Sequence, residues 1–171
     1  MNCISYISFG QIENINVKNL ISDSLKNIFL EYIFDREQNS RRKSLIENYS
    51  YNINDSLYIE AQKNVLIIDS INIHLIDEYL TLYGYPIDLS IKSKLAPITV
   101  IHHSDLNNRL KHFSTLKQAF KLGLINESYM SLYLCRTILY FKKQKKIDNT
   151  CFDKNINDLI DEVNEIFESL K

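Results

Sequence analysis

The stretch Leu116-Lys117-Gln118-Ala119-Phe120-Lys121-Leu122-Gly123-Leu124-Ile125-Asn126-Glu127-Ser128-Tyr129-Met130 ends one helix and begins another. Upstream of it, Leu106, Leu110, Phe113, Leu116, Ala119 and Phe120 recur at helical spacing, and Gly123 supplies the left-handed residue that closes such a helix. Downstream, Asn126 is an N-cap for a helix from Glu127 to about Lys145, apolar on nearly every side between Tyr129 and Phe141. Two helices joined by a few residues are a helical hairpin. The rest of the chain offers little to build anything else. It has 171 residues, three Gly and two Pro against 45% hydrophobic residues, too few turn formers for an all-β sandwich and too few glycines for a phosphate-binding loop. The expected fold is all-α, a compact domain of five to seven helices spanning residues 1–171.

The same periodicity places the other elements. Val17, Leu20, Ile21, Leu25, Ile28, Phe29 and Tyr32 share a helix face. The polar run Asp35 to Lys43 either continues that helix or opens another, and Asn48 to Asp55 reads as a loop. Leu75, Ile76, Tyr79, Leu80 and Tyr83 form the next stripe, starting between Asp55 and Asp69 and closed by Gly84 with Pro86 beyond it. Residues 87–95 read as a connector. Pro97 then opens a short apolar helix to His103, and Ser104 or Asp105 caps the next. An amphipathic helix over about 155–170 ends the chain, and Ile4 to Phe9 suggests a short extended arm at its start.

Twenty basic and twenty-one acidic residues leave a net charge of −1, so no overall field draws the protein to nucleic acid or anionic lipid. Seven acidic residues and two lysines in 148–171 leave the remainder mildly positive. Arg41-Arg42-Lys43 and Lys142 to Lys146 read as solvated helix faces rather than phosphate contacts, since no nucleic-acid motif accompanies them. No run approaches the roughly 20 apolar residues of a membrane span, and the first residues lack a signal-peptide pattern. Cys3, Cys135 and Cys151 are odd in number and without CxxC spacing, which points to free thiols, no zinc site and a reducing, cytoplasmic setting. No cofactor is implied.

The densest reactive cluster is His102-His103-Ser104-Asp105, with His74 and His112 elsewhere. Helical rotation would make the two adjacent imidazoles diverge, so that one alone enters a cleft. His103 is a candidate acid–base group, and Arg136, in an apolar helix face, must reach solvent, a carboxylate such as Asp35, Glu37, Asp69 or Asp77, or an anionic ligand. Cys135 reads as a buried thiol rather than a nucleophile.

Six short elements fall in a particular order: Asp35-Arg36-Glu37-Gln38 with Arg41 or Arg42, Asp69-Ser70-Ile71-Asn72, Tyr83-Gly84-Tyr85-Pro86, Ile101-His102-His103-Ser104-Asp105, Lys121-Leu122-Gly123, and Cys135-Arg136. In that order they resemble a bacterial family designated as a domain of unknown function, marked by Tyr-Gly-Trp-Pro and Gln-His-Ser/Ala-Asp motifs. The resemblance runs from Asp35 to Leu139. It implies Asp35, Arg41, Asp69, Asn72, Tyr83, His102 and Asp105 as candidate binding residues beside His103 and Arg136. His102 stands where that family has Gln, Cys135 where it has Asp, and a closing Tyr-Gly-Thr/Ser-Gln segment is missing. The resulting expectation is a binding or interaction module, an accessory or immunity-like protein with a protein partner. The competing class is a hydrolase or transferase using His103 as acid or base and Arg136 for an anionic group.

Overall fold

The structure is a computed structural model, and it describes residues 16–46, 56–143 and 149–170. Among these residues the fold is all-α and contains no strand. A 3-10 turn, Val17–Asn19, precedes α1 (Asp23–Ile46), α2 (Ser56–Tyr83), α3 (Ile91–Ile101), α4 (Leu106–Lys121) and α5 (Glu127–Phe141). A second 3-10 turn, Asn149–Cys151, leads into α6 (Ile156–Ser169). No described helix is long and apolar enough to cross a membrane. The N-terminal arm and the Asn48–Asp55 loop lie outside the described residues, as does most of the lysine run after Lys143.

Each hairpin boundary has a local cause. Asp105 accepts a hydrogen bond from the Asn108 N–H at 2.8 Å, and Asn126 accepts one from the Tyr129 N–H at 3.0 Å, so two N-termini are capped by their own side chains. Gly84 and Gly123 take φ of 72° and 71°, where a side chain would strain the backbone. Tyr83 donates its hydroxyl to the Val17 carbonyl at 3.0 Å and fastens the first turn to the end of α2.

The centre of the fold is α3, not the connector and short Pro97-initiated helix that composition suggests. Ser90 caps it by accepting from the Ser93 N–H, and Asn27 of α1 accepts from both the Ser90 N–H and the Ser93 hydroxyl. Pro97 therefore sits inside the helix, where it forfeits one backbone hydrogen bond. The loss is offset by burial: Ala96, Ile98, Val100 and Ile101 are all sealed from solvent. Around α3 pack Phe29, Leu30 and Ile33 of α1, Ile76 and Tyr79 of α2, Leu116 of α4, and Met130, Tyr133, Leu134 and Ile138 of α5. The polar run after Asp35 continues α1 to Ile46, because its residues at i, i+4 and i+8 from Ile33 remain on the inner face. The C-terminal helix adds Leu159, Val163 and Ile166 against α5.

The reading of the cysteines is overturned. Cys135 and Cys151 form a disulfide, with their Cα atoms 5.9 Å apart and a sequence separation of 16. Spacing alone concealed it, because the pairing depends on the chain turning back after α5 to lay Asn149–Cys151 against that helix. The cysteine count thus gives no support for a reducing compartment. A cross-link of this span contributes about 3 kcal/mol by restricting the unfolded chain. Denatured, unreduced protein is expected to show one titratable thiol, Cys3. Cys151→Ser is expected to lower the unfolding free energy from urea denaturation by that order, and dithiothreitol should do the same to the native sequence but not to the variant. Three reactive thiols would contradict the pairing.

Candidate functional site

The seam between α1 and α2 is apolar at one end and charged at the other. Along α1 the buried face runs Leu30, Ile33, Glu37, Arg41, and along α2 it runs Tyr79, Ile76, Asn72, Asp69. Both series follow the three- and four-residue steps of one helix face. Glu37, Arg41 and Asp69 therefore meet one another where the hydrophobic core stops, with Asn72 on the same α2 face. The C-terminal end of α3 delivers His102 and His103 to the same place, and α4 and α5 add Arg109 and Arg136.

Arg41 is the hub. Its Nη2 donates to both carboxylate oxygens of Asp69 at 2.9 Å, and its Nε lies 2.8 Å from His103 Nε2 and 3.0 Å from Glu37 Oε1. His103 Nε2 is 3.2 Å from the same Glu37 oxygen, while its Nδ1 faces Arg136 Nη1 at 2.9 Å. Asn72, wholly buried, accepts through Oδ1 from Nε and Nη2 of Arg36. Arg41, His103 and Asp69 side chains are each about one-fifth exposed, so the cluster opens to solvent at one edge.

The two histidines do not diverge. The helix ends at Ile101, and the turn that follows brings the rings to 3.8 Å between centroids. His102 is buried, its Nδ1 placed 3.0 Å from the Ile98 carbonyl, and burial lowers its basicity to about pKa 3. His103 is also held far below its ordinary value, first by burial, then by His102, Arg41 and Arg136. Burial and these positive neighbours favour its neutral form. A neutral ring has one lone pair and one N–H. Here both nitrogens face arginine donors: the Nδ1–H tautomer opposes Arg136 Nη1, and in the Nε2–H tautomer the ring N–H and Arg41 Nε have Glu37 Oε1 as their nearest acceptor.

Glu37 was weighed in the sequence only as a partner for Arg136. Burial pushes its carboxyl up to about 7, opposed by the positive charge of Arg41 and Arg136. Its Oε1, though close to Arg41 and His103, receives no directed hydrogen bond. Asp69 is also raised by burial. Arg109 is 3% exposed and donates its Nε to the Ser104 carbonyl at 2.8 Å, with its guanidinium over the Tyr140 ring. Among the described residues it meets no carboxylate, and its Nη1 has no acceptor. Burial and the neighbouring Arg136 lower its pKa to about 10. Arg41 Nη1 and Asn72 Nδ2 are likewise buried without an acceptor.

Of the candidates read from sequence, His103, Arg136, Arg41, Asp69 and His102 converge, while Asn72 is held by Arg36. The other three have structural duties. Asp35 pairs with Lys92 at an exposed position 2.9 Å away, Tyr83 anchors the first turn, and Asp105 caps α4. Glu37 and Arg109 are the site residues that sequence reasoning passed over. The signal was available for Glu37, a charged residue four positions after buried Ile33. For Arg109 it was the matching offset of four from Phe113 on the inner face of α4. No group of three His, Cys, Asp or Glu side chains among the described residues could hold a metal ion.

The buried titratable groups set opposite pH slopes. His102 and His103 bind protons more weakly folded than unfolded, so their contribution is lost as pH falls below about 6.5. Glu37 binds its proton more tightly when folded, so its contribution is lost as pH rises from 4.5 toward 7, by an amount on the order of 3 kcal/mol. Urea denaturation at pH 7 and pH 5 is expected to show net destabilisation on acidification. In Glu37→Gln the drop should be larger, since the opposing slope is gone; an equal or smaller drop would remove Glu37 from this account. No family model, curated protein or solved structure matches the chain, and its functional reading rests on the geometry of these residues.

Proposed function

We propose that the chain is a binding module, an accessory or immunity-like partner protein, that recognises an anionic group through the Arg41–His103–Arg136 cluster. The observation that carries this reading is the donor excess at His103: two guanidinium groups face one neutral imidazole that has a single lone pair. An acid–base histidine needs a nitrogen free for the substrate and a pKa near the working pH. His103 has neither, since both nitrogens are engaged and its charged form is suppressed. What the site has in surplus is hydrogen-bond donation from fixed positive charge, which suits recognition of an acceptor. Guanidinium groups are well matched to planar or tetrahedral oxyanions.

A second reading has its own observation. Glu37, raised to about 7, has the proton affinity of a general acid or base, so an enzyme built here would use Glu37 for proton transfer and Arg136 to hold an anionic substrate. The two readings part at measurable points. For the binding module, the ring-proton NMR shifts of His103 are expected to stay flat from pH 5 to pH 8, and p-nitrophenyl acetate and p-nitrophenyl phosphate should show no turnover that Glu37→Gln removes. A His103 titration centred near pH 6.5, or hydrolysis lost in Glu37→Gln, would overturn the binding reading.

A further inference from the structure

The cluster has a charge that its own residues do not neutralise. Arg41, Arg109 and Arg136 all lie close enough to act on both histidines, and Arg136 couples to Arg109 and to Arg41. Arg36, on Asn72, adds a fourth positive charge, and against the four stand Asp69, held by Arg41, Glu37, and Asp105 near Arg109. A buried guanidinium without a carboxylate in contact is costly, and Arg109 is one. With Glu37 ionised the excess is one positive charge; with Glu37 protonated it is two. The donors Arg41 Nη1, Arg109 Nη1 and Asn72 Nδ2 are buried and have no acceptor, and the two guanidinium groups at His103 face a ring with one lone pair.

We infer that this site binds a doubly charged tetrahedral oxyanion, the phosphate monoester class, with Arg136 and Arg109 as its principal charge partners. The inference rests on the binding reading above and narrows it to a ligand class. A dianion matches the excess charge left when Glu37 is neutral, whereas a carboxylate would leave one positive charge over. Several oxygens on one centre also provide for several unpaired donors at once. An incoming anion near Glu37 favours its neutral form. Glu37 is faced by Arg41 and Gln38 on its own helix, by Asp69 on α2, by His103 after α3 and by Arg136 on α5. His103 is held toward its neutral form, so Glu37 is the group among these that changes charge near pH 7. The phosphoryl group could belong to a small phosphate ester or to a phosphorylated side chain of a protein partner, and the site would meet the same chemistry.

Sulfate is the cleanest probe, because it remains a dianion from pH 6 to pH 8. It is titrated into the full-length, disulfide-bonded protein at constant ionic strength with chloride as the control, followed by amide NMR shifts. Expected are saturable shifts at residues 37, 41, 69, 103, 109 and 136. Affinity should fall about tenfold between pH 6 and pH 8, as Glu37 passes from mostly neutral to mostly ionised. Arg136→Gln should weaken binding at least tenfold with an unchanged near-ultraviolet dichroism spectrum, and Arg136→Lys, which keeps the charge and the fold, should fall between the two. Glu37→Gln should bind at pH 8 as the native sequence does at pH 6. Inorganic phosphate and a phosphoserine peptide then separate the two sources: tighter binding of the peptide assigns the ligand to a protein partner, and tighter or equal binding of phosphate to a small ester. No saturable binding of sulfate or phosphate at pH 6, or binding indifferent to both Arg136 variants, overturns the inference. Acetate binding as tightly as sulfate overturns the dianion and leaves the binding module standing. Turnover lost in Glu37→Gln removes the binding module itself.

Discussion

The geometry of this protein depends on α3 being enclosed. An eleven-residue helix with a proline inside it has little intrinsic stability, and its isolated form would not persist in water. It exists because α1, α2, α4 and α5 remove its side chains from solvent. Enclosure fixes both of its ends: Asn27 of α1 receives the N-terminus, and the turn His102 to Asp105 closes the C-terminus with the Ser104 hydroxyl donating to the Ile101 carbonyl at 2.7 Å. The histidines are thus positioned by a buried helix rather than by a surface loop. Their environment follows from that position, at the end of the core where the facing helices have turned from apolar to charged.

The charged seam is where the fold spends stability. Replacing Glu37, Arg41, Asp69 and Asn72 by apolar residues of similar size would extend the α1–α2 core with no ion to desolvate. Their presence, together with a buried arginine that has no carboxylate in contact among the described residues, is a local departure from the packing logic of the rest of the molecule. Such departures are expected where a surface has been shaped for something outside the chain. The donors outnumber the acceptors, which gives the departure a sign as well as a location.

Much of the scaffold was legible in the residues. The caps Asp105 and Asn126, the stops at Gly84 and Gly123 and the amphipathic stripe of α6 are local signals, decided within a few positions of themselves. What escaped was decided at a distance. Ser90 and Pro97 looked like a connector and a helix start, because the value of burying α3 depends on four other helices. His102 and His103 were expected to diverge because the helix was extended two residues too far. The cluster itself was half visible: His103 and Arg136 stood out as reactive side chains, while Glu37 was only one of four carboxylates that could pair with Arg136 and Arg109 was not singled out. The disulfide needed the chain reversal before α6, which no spacing rule encodes.

That disulfide has a topological side. Cys135 precedes Arg136 directly, and Cys151 sits at the entrance to α6, so the helix that carries a charge of the candidate site and the helix that closes the fold are one covalent body. The lysines at 142, 143, 145 and 146 all fall inside the loop it closes. A protease that cuts the peptide chain after any of them would leave two polypeptides still joined by sulfur. The nicked protein would keep Leu159, Val163 and Ile166 seated against α5 and would migrate as one species until a reductant separated its pieces.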